Sequence, residues 1–143
     1  MTTYTLHITA EQAHTLSRAC ELLARLGIGQ ITEGLREIPQ VEDIDWSDFH
    51  DDCQAVCKLM SKYMPRRIDG WTSNLGIHHA DEGARRAWDL HQVLRHRLAW
   101  DLAIKEGWTD GTTRDWKQMM GVHFDDPTRV YPEPLARIER DEA

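Results

Sequence analysis

Three features of the chain predict an α+β fold that is mainly α. The stretch Ala84 to Glu106 runs without Pro or Gly and is rich in Ala, Leu, Arg and Trp, as a strong helix bounded by Gly83 and Gly107 should be. Thr3 to Ile8 alternates, with Tyr4, Leu6 and Ile8 on one side, which is the pattern of a short half-buried strand. Near the other end, Trp116 to Phe124 offers a strand through Met119, Val122 and Phe124, and Val130 and Tyr131 offer a short edge strand. The N- and C-terminal strands are expected to form a small sheet beside the long central helix. A single globular domain over residues 1–143 is expected, with 141–143 frayed.

After the first strand, Thr9 stands three residues before Gln12, the capping-box spacing that opens a helix. That helix is expected to run to about Leu26, with Ala13, Leu16, Ala19, Cys20, Leu23 and Leu26 as its inner stripe and Gly27 as its left-handed stop. Ile31 to Ile38 can add one or two helical turns before Pro39. Gly27 and Gly29 follow a helix, whereas a phosphate-binding loop follows a strand, so the Gly-x-Gly spacing is read as a helix cap.

Gln40 to Trp46 is an acidic loop, and Asp45 or Ser47 can cap a helix from about Asp48 to Tyr63 that Pro65 stops. His50, Cys53 and Cys57 lie near one line on this helix. A structural zinc site needs four ligands and no fourth stands nearby, so the cysteines are read as core residues beside Val56 and Met60, and no metal is assigned. Pro65 to Asp81 gathers Arg66, Arg67, Trp71, His78 and His79 in one loop. Such a loop can wrap an anion or stack on a base. The plainer reading is a surface connection with Trp71 plugged into the core.

On a wheel of about 100° per residue, Ala87, Leu90, Val93, Leu94, Leu98 and Ile104 of the central helix share one broad side. Arg85, Gln92, His96, Ala99 and Ala103 point the other way. Arg97 and Asp101, spaced i and i+4, fall in the middle of the apolar side and are expected to face inward as a pair. An unpaired buried charge costs several kcal/mol, roughly, so the two groups should hold each other. They form either a structural ion pair that ties down a neighbouring loop or the floor of a binding cleft.

Composition narrows the partners. A hydrophobic fraction of 41% and six Trp argue for a folded chain, and a net charge of −7 argues against an extended duplex-DNA surface. No apolar run approaches the roughly 20 residues of a membrane span, and Met1 to Tyr4 lacks the start of a signal peptide. Three cysteines, an odd number, fit free thiols in a reducing cytoplasm. No internal repeat is found.

Leu6 to Gln30, with the run Glu21-Leu22-Leu23-Ala24-Arg25-Leu26-Gly27-Ile28-Gly29-Gln30, resembles a group of small uncharacterised proteins encoded by bacteriophages and prophages. So does Gly76 to Asp101, with Trp88-Asp89-Leu90-His91-Gln92-Val93-Leu94-Arg95-His96-Arg97-Leu98-Ala99-Trp100-Asp101. Pro127 to Ile138, with Pro134-Leu135-Ala136-Arg137-Ile138, is similar as well. The resemblance implies a phage accessory role in a bacterial host cell and supplies no catalytic residues and no cofactor. By analogy, proteins of this kind counter host defences by holding a host protein or sequestering a nucleotide signal.

The expected function is therefore binding of an anionic, nucleotide-like small molecule by Arg97, Asp101, Arg95, His78, His79, Trp100 and Trp71. The alternative is a protein-interaction module that inhibits a host protein through the acidic stretch Glu42 to Asp52 or an apolar surface. Trp88 and Leu102 would leave apolar area for a homo-oligomer contact. A metal-dependent phosphodiesterase or nuclease fits less well, because Asp89 and Asp101 sit about 12 residues apart on one helix, roughly 18 Å, too far to share an ion. No nucleophile elbow, Walker loop or two-His zinc helix is present.

Overall fold

The structure, a computed structural model, describes residues 4–36, 45–63, 76–112 and 126–139. Its first helix, α1 (Ala10–Gly27), opens on the expected capping box: the Gln12 N–H donates to Thr9 Oγ1 at 3.2 Å and the Thr9 N–H to Gln12 Oε1 at 2.9 Å. Two otherwise orphaned donors are thereby satisfied. The stop differs from the expected one. Gly29, at φ 91°, is the left-handed residue. Its N–H bonds to the Leu26 carbonyl and the Gln30 N–H to the Arg25 carbonyl, the paired closure of a Schellman motif. Gly27 is the last residue of the helix proper and serves a packing purpose, described below.

Helix α2 (Ile31–Arg36) follows directly and packs on α1. Helix α3 (Trp46–Met60) packs on α2, opens on the Asp45 carboxylate, which accepts from the Ser47 and Asp48 N–H groups, and runs into a 3-10 turn at Ser61–Tyr63. The long helix, α4 (Glu82–Lys105), begins two residues earlier than the glycine boundary suggests, because Asp81 accepts from the Ala84 N–H at 3.0 Å and carries Gly83 into the first turn. Gly107, at φ 71°, stands just past its end.

Helices α1 and α4 pack antiparallel. Ser17 meets His91 and Gly27 meets Ala84, so rising numbers on one helix face falling numbers on the other. The buried side chains here are small: Ala24, Ala84 and Ala87 with Leu94. Small residues let two helix backbones approach closely, and a Cβ placed on Gly27 would lie 2.3 Å from that of Ala84. The inner face of α1 is correspondingly Ser17 and Ala24, while Leu23, expected in the inner stripe, is 53% exposed.

The expected α+β class with a small sheet is not what forms. The described residues are helical or irregular, and none is in a strand. Residues 4–9 are non-helical as foreseen, but Tyr4 is 92% and Leu6 68% exposed, so the alternation has no layer to pack on. The proposed edge strand at Val130 and Tyr131 cannot join a ladder through its amides, because a side chain on α4 already takes both N–H groups. The strand expected at Trp116 to Phe124 lies outside the described residues, as does the loop carrying Arg66, Arg67 and Trp71. No described helix is long and apolar enough to cross a membrane.

Helix α4 is also not amphipathic in the simple sense expected. Asp89, His91 and Gln92 are buried with Ala84, Ala87 and Leu94, while Leu102 and Ile104 are exposed. The reason is that α4 is covered from two roughly opposite sides: α1 on one, the segment 126–139 on the other. A helix between two partners shows no single apolar stripe.

Candidate functional site

The segment 126–139 has no regular structure, so its backbone polar groups need partners that a helix or sheet would have supplied. Helix α4 supplies them. The Asp89 carboxylate accepts from the Val130 N–H at 2.8 Å and the Tyr131 N–H at 2.9 Å, and Gln92 Nε2 donates to Thr128 Oγ1 at 3.3 Å. One turn earlier, Arg86 donates to both Glu133 carboxylate oxygens and to the Tyr131 hydroxyl, with its guanidinium 4.3 Å from the Tyr131 ring centre. Contacts at Thr128, Tyr131 and Glu133 thus march back along α4 toward its N-terminus.

Between this segment and the C-terminal half of α4 lies a groove of about 340 Å³. Arg97 and Trp100 form part of its wall with Val93 and Ile104, and Pro127 and Ile138 close it from the facing segment. His96 also reaches it, its ring 6.4 Å from that of Trp100 and steeply tilted to it. Five of the eight lining residues come from one helix at i, i+3, i+4, i+7 and i+11, which puts them on one side of α4.

Asp101 accepts from Nε and Nη2 of Arg97, a two-pronged contact along the side of the guanidinium. Both side chains are part-exposed, at 35% and 30%, so the expected pair forms at the mouth of the groove and not in the interior. An Arg carries five N–H donors. Asp101 engages two, and the end of the guanidinium formed by Nη1 and Nη2 has no partner among the described residues. A planar fork steadied from one side and open at the other is suited to a carboxylate or phosphate.

The other expected ligand-binding residues are not brought to this place. Arg95 does not line the groove; its Nη2 donates to Gln92 Oε1 at 2.8 Å. His78 and His79 are exposed in the 3-10 turn Ile77–His79 that precedes α4. The residues from 82 to 97 then put them roughly 22 Å along the helix axis from Arg97. Trp71 lies outside the described residues. Of the two residues expected at a subunit contact, Trp88 is half-buried, its ring 5.5 Å from that of His91, and Leu102 is exposed.

Sequence reasoning missed His96, Gly111, Pro127 and Ile138 as groove residues, and it considered Asp89 only as a metal ligand. Besides the expected Arg97 and Trp100, Val93 and Ile104 carried a signal, as apolar positions sharing a side with Arg97.

A second polar centre lies on the α1 side of α4. His91 Nδ1 is 3.1 Å from both the Ser17 hydroxyl and the Ser17 carbonyl oxygen. A carbonyl only accepts, so Nδ1 carries the ring proton. Burial pushes the imidazole below its ordinary range, against the pull of the Glu21 carboxylate and the Ser17 carbonyl. Both residues are buried between helices, which makes the pair a structural tie with no room for a substrate.

On α3, Cys53 is buried and burial raises its thiol and that of Cys57, while His50 bonds to Gln54 at 2.8 Å. Among the described residues no group of three or more His, Cys, Asp or Glu is placed to hold a metal ion. No protein-family model, curated protein or solved structure matches this chain, so its groove is the nearest guide to what it does.

Proposed function

We propose that this is a small phage accessory protein that binds and sequesters an anionic ligand, such as a nucleotide-derived signal, in the groove between α4 and the segment 126–139. The observation that carries the reading is the braced Arg97 guanidinium on the wall of a groove that also contains the Trp100 indole. An arginine fork and an aromatic face are the two elements that grip a phosphorylated, ring-bearing molecule. The phage role, and with it an anti-defence purpose in the cytoplasm of a bacterial host, comes from the resemblance in Leu6 to Gln30, Gly76 to Asp101 and Pro127 to Ile138.

Thermal unfolding with a panel of mononucleotides, cyclic dinucleotides and ADP-ribose derivatives tests it. The expected result is a stabilising shift for at least one ligand that Arg97→Ala abolishes; no shift across the panel overturns the reading. The alternative, a module that holds a host protein, is favoured by α3, where Trp46 and Leu59 are 66% and 56% exposed on a helix also carrying Asp48, Asp51 and Asp52. A host protein retained in stoichiometric amount, and lost with Trp46→Ser, would select it.

A further inference from the structure

The segment 126–139 meets α4 as a peptide ligand meets its receptor. It contributes no helix or strand, and side chains of α4 grip its main chain and its polar groups. Asp89 takes two successive amides, those of Val130 and Tyr131, so the same bonds form with any chain that presents this backbone. Arg86 adds selectivity, donating to both Glu133 oxygens and to the Tyr131 hydroxyl. The guanidiniums of Arg86 and Arg85 lie 4.3 and 5.0 Å from the centre of the Tyr131 ring. Tyr131 and Glu133 each precede a proline, which biases both to extended backbone, and Pro132 and Pro134 have no N–H in need of an acceptor.

These bonds do not depend on the covalent link between the segment and α4. Residues 113–125 make that link, and a chain of that length reaches roughly 45 Å when fully extended. The docked surfaces are ionic and polar: Arg86 and Glu133 are 45% and 44% exposed even when paired, and none of the residues 126–139 is buried. Undocking exchanges bonds between these groups for bonds to water. We infer that a second copy of this chain docks its own segment 126–139 on α4 in place of the resident one, giving a dimer that exchanges segments reciprocally. The arrangement is two-fold and closed, since each copy gives one segment and receives one. Each groove is then shared, with Arg97 and Trp100 from one molecule and Pro127 and Ile138 from the other. Tethering within one chain competes at an effective concentration on the order of 1 mM, so the exchanged form grows in as the protein approaches that concentration. The inference holds whatever the groove binds.

A charge swap in full-length protein tests it. Arg86→Glu sets a carboxylate against Glu133, and Glu133→Arg sets a guanidinium against Arg86, so like charges weaken docking within each chain. Mixed, the two variants restore both pairs only by crossing: the new carboxylate of one meets the new guanidinium of the other, while the second chain's Arg86 meets the first chain's Glu133. Sedimentation of the equimolar mixture should show a one-to-one pair in at least tenfold excess over either homodimer. Hydrogen exchange at the Val130 and Tyr131 amides should be at least tenfold faster in each variant alone than in the parent, and should return to the parental rate in the mixture. A mixture that stays monomeric overturns the inference. So does a pair whose two amides stay fast, which is a plain charge contact. If one variant loses helicity by circular dichroism, the other is tested with labelled synthetic peptides of residues 126–139. The peptide that restores opposite charges should bind at least tenfold more tightly than the one that repeats like charges, and equal binding overturns the inference. The parent chain should itself pass from monomer to dimer as it nears about 1 mM, and a parent monomeric at that concentration overturns it as well.

Discussion

The carboxylate of Asp89, in the first half of α4, holds the backbone N–H groups of Val130 and Tyr131 at 2.8 and 2.9 Å. The side chain is buried, and it fixes an irregular segment by bonding to its main chain, so it constrains position whatever side chains that segment carries. The groove's far wall, Pro127 and Ile138, belongs to the same segment. Asp89→Asn keeps the shape but replaces one acceptor oxygen with a donor facing an N–H. Bonds to a charged group contribute about 1.5–3 kcal/mol each, so a loss of about 2 kcal/mol is expected in urea unfolding. Hydrogen exchange should speed up at residues 126–139 first and at the α1–α4 pair last. Ligand affinity should fall as well, although Asp89 does not line the groove. Uniform loss of protection across the molecule would argue that Asp89 supports the whole core.

A second test concerns the closest approach of α1 and α4. Replacing a helical glycine by alanine ordinarily gains up to about 1 kcal/mol. At Gly27 the sign should reverse, because the new Cβ would lie 2.3 Å from that of Ala84 and one helix must shift. A cost of about 1–3 kcal/mol is expected for Gly27→Ala from overpacking. Paired with Ala84→Gly, the same change should cost little or stabilise, and the double-mutant cycle should show a favourable coupling. If the two effects simply add, the helices do not meet at these residues.

Acid should weaken the same interface through His91. In the unfolded chain an imidazole takes up its proton near about pH 6.5. Burial between α1 and α4 lowers that value in the folded protein. Between the two values the unfolded state binds more protons, so stability is full above about pH 6.5, declines as pH falls toward the folded value, and levels off below it. His91→Asn can keep a donor toward the Ser17 carbonyl but cannot titrate. The difference in urea midpoint between about pH 7.5 and about pH 5 should therefore be smaller in the variant than in the parent. An equal difference would place the acid sensitivity elsewhere.

The helices were legible in the sequence where local chemistry decides them. Thr9 with Gln12, Asp45 with Ser47, and the unbroken run of α4 announce themselves over a few residues, and the structure follows them closely. Tertiary arrangement was not legible to the same degree. The alternation at Tyr4, Leu6 and Ile8 is a strand pattern only if a layer lies beneath it, and none of the described residues provides one. The polar residues of α4 misled for the opposite reason. Asp89 and Gln92 look like solvent-facing positions until an irregular segment needing hydrogen bonds is laid over them. Arg97 and Asp101 were recognised by their i, i+4 spacing, but that spacing says nothing of depth, and the pair sits at the edge of the groove. Pro127 and Ile138 reach the groove through the path of the chain between them, for which no short motif is known.

Arg97→Ala should separate binding from folding. With side chains 35% and 30% exposed, the Arg97–Asp101 pair is of the part-solvated i, i+4 kind. Such pairs contribute about 0.3–0.5 kcal/mol, so the substitution should shift the urea midpoint only slightly. On the proposed function, binding depends on the same guanidinium in another way, since an anion in the groove would meet the end of the fork that Asp101 leaves. Ligand-induced stabilisation should disappear in Arg97→Ala while the unliganded protein melts near the parent temperature. The parent's affinity should also fall as salt is raised from about 0.05 to about 0.5 M, because one part-exposed cation is screened over that range. A variant that melts much lower without ligand would show instead that Arg97 holds the fold, and the open fork would lose its claim to function.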